Sequence, residues 1–142
     1  MQIILEVKNM KKIILLMALT FIMGVCLMAC SGGAEGSYKF VSVKIGDQTY
    51  NVGDTIAELG EDALTSDFYI LELKSDGNAT LSSKMTGEEK TLTGTWTLSE
   101  DEKTITLTME GVSENMTLTR DGNTLVMIQG TGDNIRTITL KR

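Results

Sequence analysis

From residue 38 onward the chain alternates apolar and polar residues with a period of two. A strand with one buried face places successive side chains on opposite sides in this way. Leu92, Gly94, Trp96 and Leu98 share one face, and Thr91, Thr93, Thr95 and Thr97 share the other. Ile105, Leu107 and Met109 alternate with Thr104, Thr106 and Thr108, and Met116 and Leu118 continue against Thr117 and Thr119. Threonine suits the wet face because its β-branch fits a pleated surface while its hydroxyl stays hydrated. The pattern predicts strands near 38–45, 48–52, 68–74, 78–85, 90–98, 104–110, 115–120, 124–129 and 135–141.

The links between these runs predict how they pair. Asp76-Gly77 and Asp121-Gly122 lie between alternating runs, where a type I′ hairpin turn wants two residues that tolerate positive φ. The polar links 99–103, 111–114 and 130–134 are short enough for antiparallel neighbours, so sequential strands are expected to pair in order as a meander. One stretch breaks the rhythm. In 54–66, Asp54-Thr55 can cap a short helix containing Ile56, Leu59 and Leu64, with Gly60 interrupting, so a helical or irregular loop is expected. The chain has no proline to blunt an edge strand. Closure of about eight or nine strands into a small antiparallel barrel leaves no long edge exposed, and a two-sheet sandwich is the alternative.

The first 30 residues differ in kind. Residues 13–29 carry no charge and follow Lys8, Lys11 and Lys12. As a helix this run would span about 26 Å, short of the roughly 30 Å hydrocarbon core, which suits a signal peptide better than a permanent span. It ends in Leu27-Met28-Ala29-Cys30, followed by Ser31-Gly32-Gly33, and resembles the lipobox of bacterial lipoprotein signal peptides. The resemblance implies cleavage between Ala29 and Cys30, acylation of Cys30, and a lipid anchor on the extracytoplasmic side of the cell membrane. Met1 and Met10 are both possible starts and give the same mature product. The expected organisation is a signal peptide at 1–29, a lipidated cysteine and flexible Gly-rich tether at 30–37, and an all-β domain at 38–142.

Removal of the leader takes Cys26 away and acylation blocks Cys30, so the mature domain has neither a free thiol nor a disulfide and is held together by its core. It also loses three lysines and one glutamate, becoming more acidic than the −6 of the whole chain. Such a domain repels phosphate backbones and anionic headgroups. The expected partner is therefore the membrane, through lipid alone, with no nucleic acid and a monomeric state.

Further motifs carry a second resemblance. Gly36-Ser37-Tyr38-Lys39-Phe40, Tyr50 with Gly53-Asp54, Leu71-Glu72-Leu73 leading into Asp76-Gly77, Gly94-Thr95-Trp96 and Asp121-Gly122-Asn123-Thr124-Leu125 span the mature chain. Together they resemble the lipocalin-like domains of small lipoproteins from Gram-positive gut bacteria. The resemblance implies a lipocalin-like barrel and an envelope location, and no substrate. Unlike true lipocalins, which open on a Gly-x-Trp strand, this chain has its single tryptophan mid-chain.

The supply of reactive groups is narrow. With no histidine and no free thiol, the usual nucleophile activation and zinc or iron ligand sets are excluded. Glu61-Asp62, Glu88-Glu89 and Glu100-Asp101-Glu102 fall in predicted loops as solvated acids, and no Asp-x-Asp-x-Asp-Gly calcium loop occurs. No enzyme activity, metal or cofactor is expected. Trp96 is the one aromatic suited to a ligand site, although its line with Leu92 and Leu98 favours core packing. Gly94 beside it marks a bulge or a close backbone approach. Phe68 to Leu71 and Leu125 to Ile128 are apolar on both faces, so one side of each needs a cover. That cover is either the 54–66 segment or, at outward Phe68, Ile70, Val126 and Ile128, a surface-protein partner or a small apolar ligand. Two functional readings follow. One is a non-enzymatic binding protein for a small molecule, glycan or envelope component; the alternative is a protein-interaction or structural surface module with a filled core. The interior separates them: a cavity of several hundred Å³ favours ligand capture, and a filled core favours the surface module.

Overall fold

A computed structural model describes residues 33–57, 62–85 and 88–142. The leader, Ala29, Cys30 and Leu59 lie outside them. Among the described residues the strands are β1 Gly36–Ile45, β2 Gln48–Asn51, β3 Tyr69–Leu73, β4 Asn78–Met85, β5 Glu88–Leu98, β6 Thr104–Met109, β7 Met116–Asp121, β8 Thr124–Gln129 and β9 Arg136–Lys141. Each lies within about two residues of its expected position, because the alternation that predicts a strand is also what buries it.

Neighbouring strands are antiparallel, and β3 to β9 form an uninterrupted meander. β1 closes the ring. Its residues 36–39 pair with β3 on one edge, and its residues 39–45 pair with β9 on the other. The fold is an eight-strand closed barrel of β1 and β3–β9, with β2 as an extra strand against residues 42–45 of β1. Closure excludes the sandwich.

Pairing in simple chain order fails at β2, which does not neighbour β3. β2 has little to bury, since only Tyr50 is half-buried, whereas β3 turns Tyr69, Leu71 and Leu73 inward. The ring therefore takes β3. A register shift between Phe40 and Ser42 in the β1–β9 ladder moves the inward set by one residue, from Tyr38 and Phe40 to Val43.

The described ends of the 52–68 connection bond to β1 where it passes from β3 to β2. Phe40 N–H donates to Ser66 O at 3.1 Å, and Val52 N–H donates to Val41 O at 3.3 Å. Its two limbs are tied by Gly53 N–H to Leu64 O and Leu64 N–H to Asp54 O, both 2.8 Å, and by a bridge between Thr55 and Ala63. Its described ends take the irregular form. The Asp54 carboxylate accepts Asn51 N–H at 2.7 Å and closes a turn; the helix it was expected to cap runs into residues 58–61, outside the described residues. Ile56 and Leu64 are buried in the core cluster.

Two turns also differ from expectation. Gly77 N–H donates to Lys74 O at 3.1 Å and Gly77 alone takes positive φ, +86°, so this hairpin is a longer loop closed by a left-handed glycine. At the second hairpin Asp121 still pairs with Thr124, leaving Gly122-Asn123 as the loop, with positive φ at Gly122 only, the pattern of a II′ turn. A type I′ turn needs positive φ at two residues, and a single glycine satisfies these loops without it. Gly33–Arg142 form one compact unit. Ala34 is buried, and its carbonyl accepts the Tyr38 hydroxyl at 2.7 Å.

Candidate functional site

The structure separates the residues singled out in the sequence. Trp96 is 5% exposed, and its indole N–H donates to Lys74 O at 2.8 Å, under the β3–β4 turn. Phe68 is buried, with its ring edge-on to Phe40 at 5.2 Å and to Tyr69 at 5.1 Å. Ile70 and Val126 are half-buried, whereas Ile128 is 66% exposed. These four do not form one patch. Ile70 pairs with Lys39, Lys39 with Lys141, and Lys141 with Thr124, so β1 and β9 stand between β3 and β8.

The barrel interior is filled. Tyr38, Leu71, Ile105, Leu107, Leu118, Leu125 and Leu140 have 0% of their surface accessible, and Phe40, Met127 and Ile138 have almost none. Zero accessibility leaves no room for a water molecule beside the first seven. Among the described residues no polar or charged residue is buried with them. Convergent polar groups that would orient a ligand are therefore missing from this layer. Burial pushes the Tyr69 phenol above its ordinary pKa, with Arg136 opposing the shift.

The outer wall offers more. Ile128, Thr137 and Lys44 lie in one register row across β8, β9 and β1. Thr137 and Lys44 also line an open depression of about 360 Å³, with Gly46, Gly132, Asp133 and Ile135. Ile135 is 44% exposed. The depression sits where the β1–β2 turn meets the β8–β9 connection, which contains a short 3-10 helix at Gly132–Asn134. Two exposed isoleucines beside a lysine and an aspartate make a mixed surface able to contact a partner side chain by side chain. The sequence reading reached Ile128 but missed Lys44, Asp133 and Ile135. Period-two patterning ranks residues along a strand and says nothing of which connection folds against which wall.

The acidic turns are occupied by their own backbone. The Asn78 N–H, helped by the Asn78 side-chain amide, holds the Asp76 carboxyl below its ordinary range. The Ser99 hydroxyl, helped by Lys103 N–H, does the same for Asp101. No group of three or more His, Cys, Asp or Glu side chains converges as a metal site among the described residues.

The barrel wall from Phe68 through the start of β9 is also what a known family shares with this chain. Residues 68–137 match the model of the NlpE N-terminal domain. The NlpE match covers β3 to β8 and the first two residues of β9, but not β1 or β2. It is a match to an envelope-lipoprotein domain, in agreement with the lipoprotein character read from the leader. Of the resemblance read in the sequence, the match supports the lipoprotein-domain character, and the structure supports the antiparallel barrel. No curated protein and no solved structure matches the chain.

Proposed function

We propose that this domain is the extracytoplasmic part of a lipid-anchored envelope lipoprotein, and that it works as a non-enzymatic protein-contact module through its outer wall. The filled interior carries this reading. A barrel of about eight strands either packs its lumen with side chains or holds one small ligand, and here large apolar side chains take the space. The Ile128–Thr137–Lys44 row and the neighbouring depression are the contact surface, an apolar element with charged neighbours of the kind found in transient interfaces. The NlpE likeness supports the envelope location, and the Leu-Met-Ala-Cys ending of the leader supports acylation at Cys30.

Two measurements test this. Fatty-acid labelling should be abolished by Cys30→Ala; unchanged labelling removes the anchor. A photo-crosslinking residue at Ile128 in the anchored protein should give one discrete protein adduct that Lys44→Glu abolishes and an outward control at Thr106 does not give. Native mass spectrometry showing a stoichiometric small molecule within the purified domain would instead establish the ligand-carrier reading.

A further inference from the structure

The chain leaves the barrel at one end, and two arginines hold it there. The Gly33 carbonyl accepts from Arg120 Nη2 at 3.1 Å and from Arg142 Nη1 at 2.9 Å. Arg142 also donates to Glu35 O and, at 2.8 Å, to Asn123 Oδ1, with its guanidinium 5.7 Å from the centre of the Tyr38 ring. Arg120 Nη1 reaches Glu102 O at 3.2 Å. The strand registers place the β3–β4, β5–β6 and β7–β8 turns at this same end, at 74–77, 99–103 and 122–123. The Ile128–Thr137–Lys44 row and its depression belong to the other end, beside the β1–β2 turn.

Cys30 precedes Gly33 by three residues, a separation that spans at most about 10–11 Å. β1 has 10 residues, about 30 Å at 3.3 Å each, or roughly 23 Å of barrel height at a tilt near 40°. A lipid at Cys30 therefore cannot let the two ends exchange places.

We infer that the anchored domain stands on the bilayer with the arginine-clamped end against the headgroups, presenting the Ile128–Thr137–Lys44 row outward. This rests on the acylation of Cys30 proposed above. Tether length imposes the orientation, and charge adds little. At the lower end Lys74, Lys103, Lys141, Arg120 and Arg142 are interspersed with Glu35, Asp76, Glu100, Asp101, Glu102 and Asp121, so acids offset the bases and no net basic surface faces the lipid. The clamp matters because it fixes where the tether starts. Without it, residues 33–37 would add about 17 Å of reach and loosen the orientation.

The test uses the full acylated protein in phosphatidylcholine vesicles containing a lipid with a nitroxide headgroup. Once the leader is removed and Cys30 acylated, neither of the two native cysteines is a free thiol, so single cysteines can be labelled selectively. Glu100→Cys labels the lower end and Ser113→Cys the upper; both positions are exposed. The fluorophore at residue 100 should lose most of its emission, and the one at residue 113 should keep most of it. Twenty Gly/Ser residues inserted after Ser31, about 25 Å root-mean-square, should abolish the difference. Protein that floats with vesicles but shows equal or reversed quenching overturns the orientation and leaves the anchor standing. A difference that persists with the long insert also overturns it, because tether length would then not be its cause. Protein that does not float removes the anchor, and the inference with it.

Discussion

Gly94 is the position where one methyl group should cost most. Its Cβ would lie 2.1 Å from Thr108 O, 2.8 Å from Met109 Cα and 2.9 Å from Met109 Sδ. The sulfur can swing away. The two backbone atoms cannot move without opening the β5–β6 ladder, in which Gly94 pairs with Met109. Gly94→Ala should gain about 0.4–1 kcal/mol by restricting the unfolded chain. Overpacking a built core costs about 1–3 kcal/mol, and two immovable obstructions put this site at or beyond the upper end. The net loss is then about 2–3 kcal/mol, a large part of a typical stability of about 5–15 kcal/mol. For a domain near 110 residues that lowers Tm by roughly 10 °C. Thermal and urea unfolding of residues 33–142, followed by far-UV circular dichroism and Trp96 fluorescence, provides the measurement. Gly122→Ala is the control, since nothing lies within 4 Å of its Cβ and only a left-handed φ penalty of about 1–2 kcal/mol remains. A Gly94→Ala Tm equal to or above wild type would refute the close-approach argument.

Three further outcomes are expected. Leu118→Ala removes a side chain with no accessible surface and should cost about 2–5 kcal/mol, whereas Ile128→Lys should change stability by less than about 0.5 kcal/mol; urea midpoints compare them directly. Arg142→Ala should leave the barrel folded but speed amide hydrogen exchange at residues 34–37, because the guanidinium bonds to Gly33 and Glu35 are lost; unchanged exchange would show that the clamp does not hold the segment. Asp76 and Asp101 have folded-state pKa values below their unfolded values. The stability they contribute is therefore present above the unfolded carboxylate value, about 3.9, and is lost as pH falls through the lower folded values. An Asp76→Asn, Asp101→Asn double variant should accordingly show a shallower fall in stability below about pH 4 in acid titrations.

Much of the fold was legible in local spacing. Trp96, Ile105, Leu107 and Leu118 are buried and Leu92 is half-buried against them because alternation alone assigns them to one face. Gly94 stood out for the same reason, as a missing side chain in an otherwise apolar row. Phe68, expected to face outward with Ile70, is buried. It lies before the first residue of β3, where the period no longer governs and the packing of Phe40 and the 52–68 connection does.

The pattern of apolar, threonine and glycine residues by itself determined that this chain makes strands, where most of them begin and which faces they bury, since these depend on neighbours within a few positions. Only the tertiary structure decided that β1 closes the ring between β3 and β9, that β2 is left outside it, that the lumen is filled, and that Arg142 binds Gly33 109 residues away. Each of these depends on competition between surfaces far apart in sequence. β1 can pair with β2 after a two-residue turn, but its first half gains more by burying Tyr38 against Leu71, and that gain exists only once the other strands have brought the opposite wall into place.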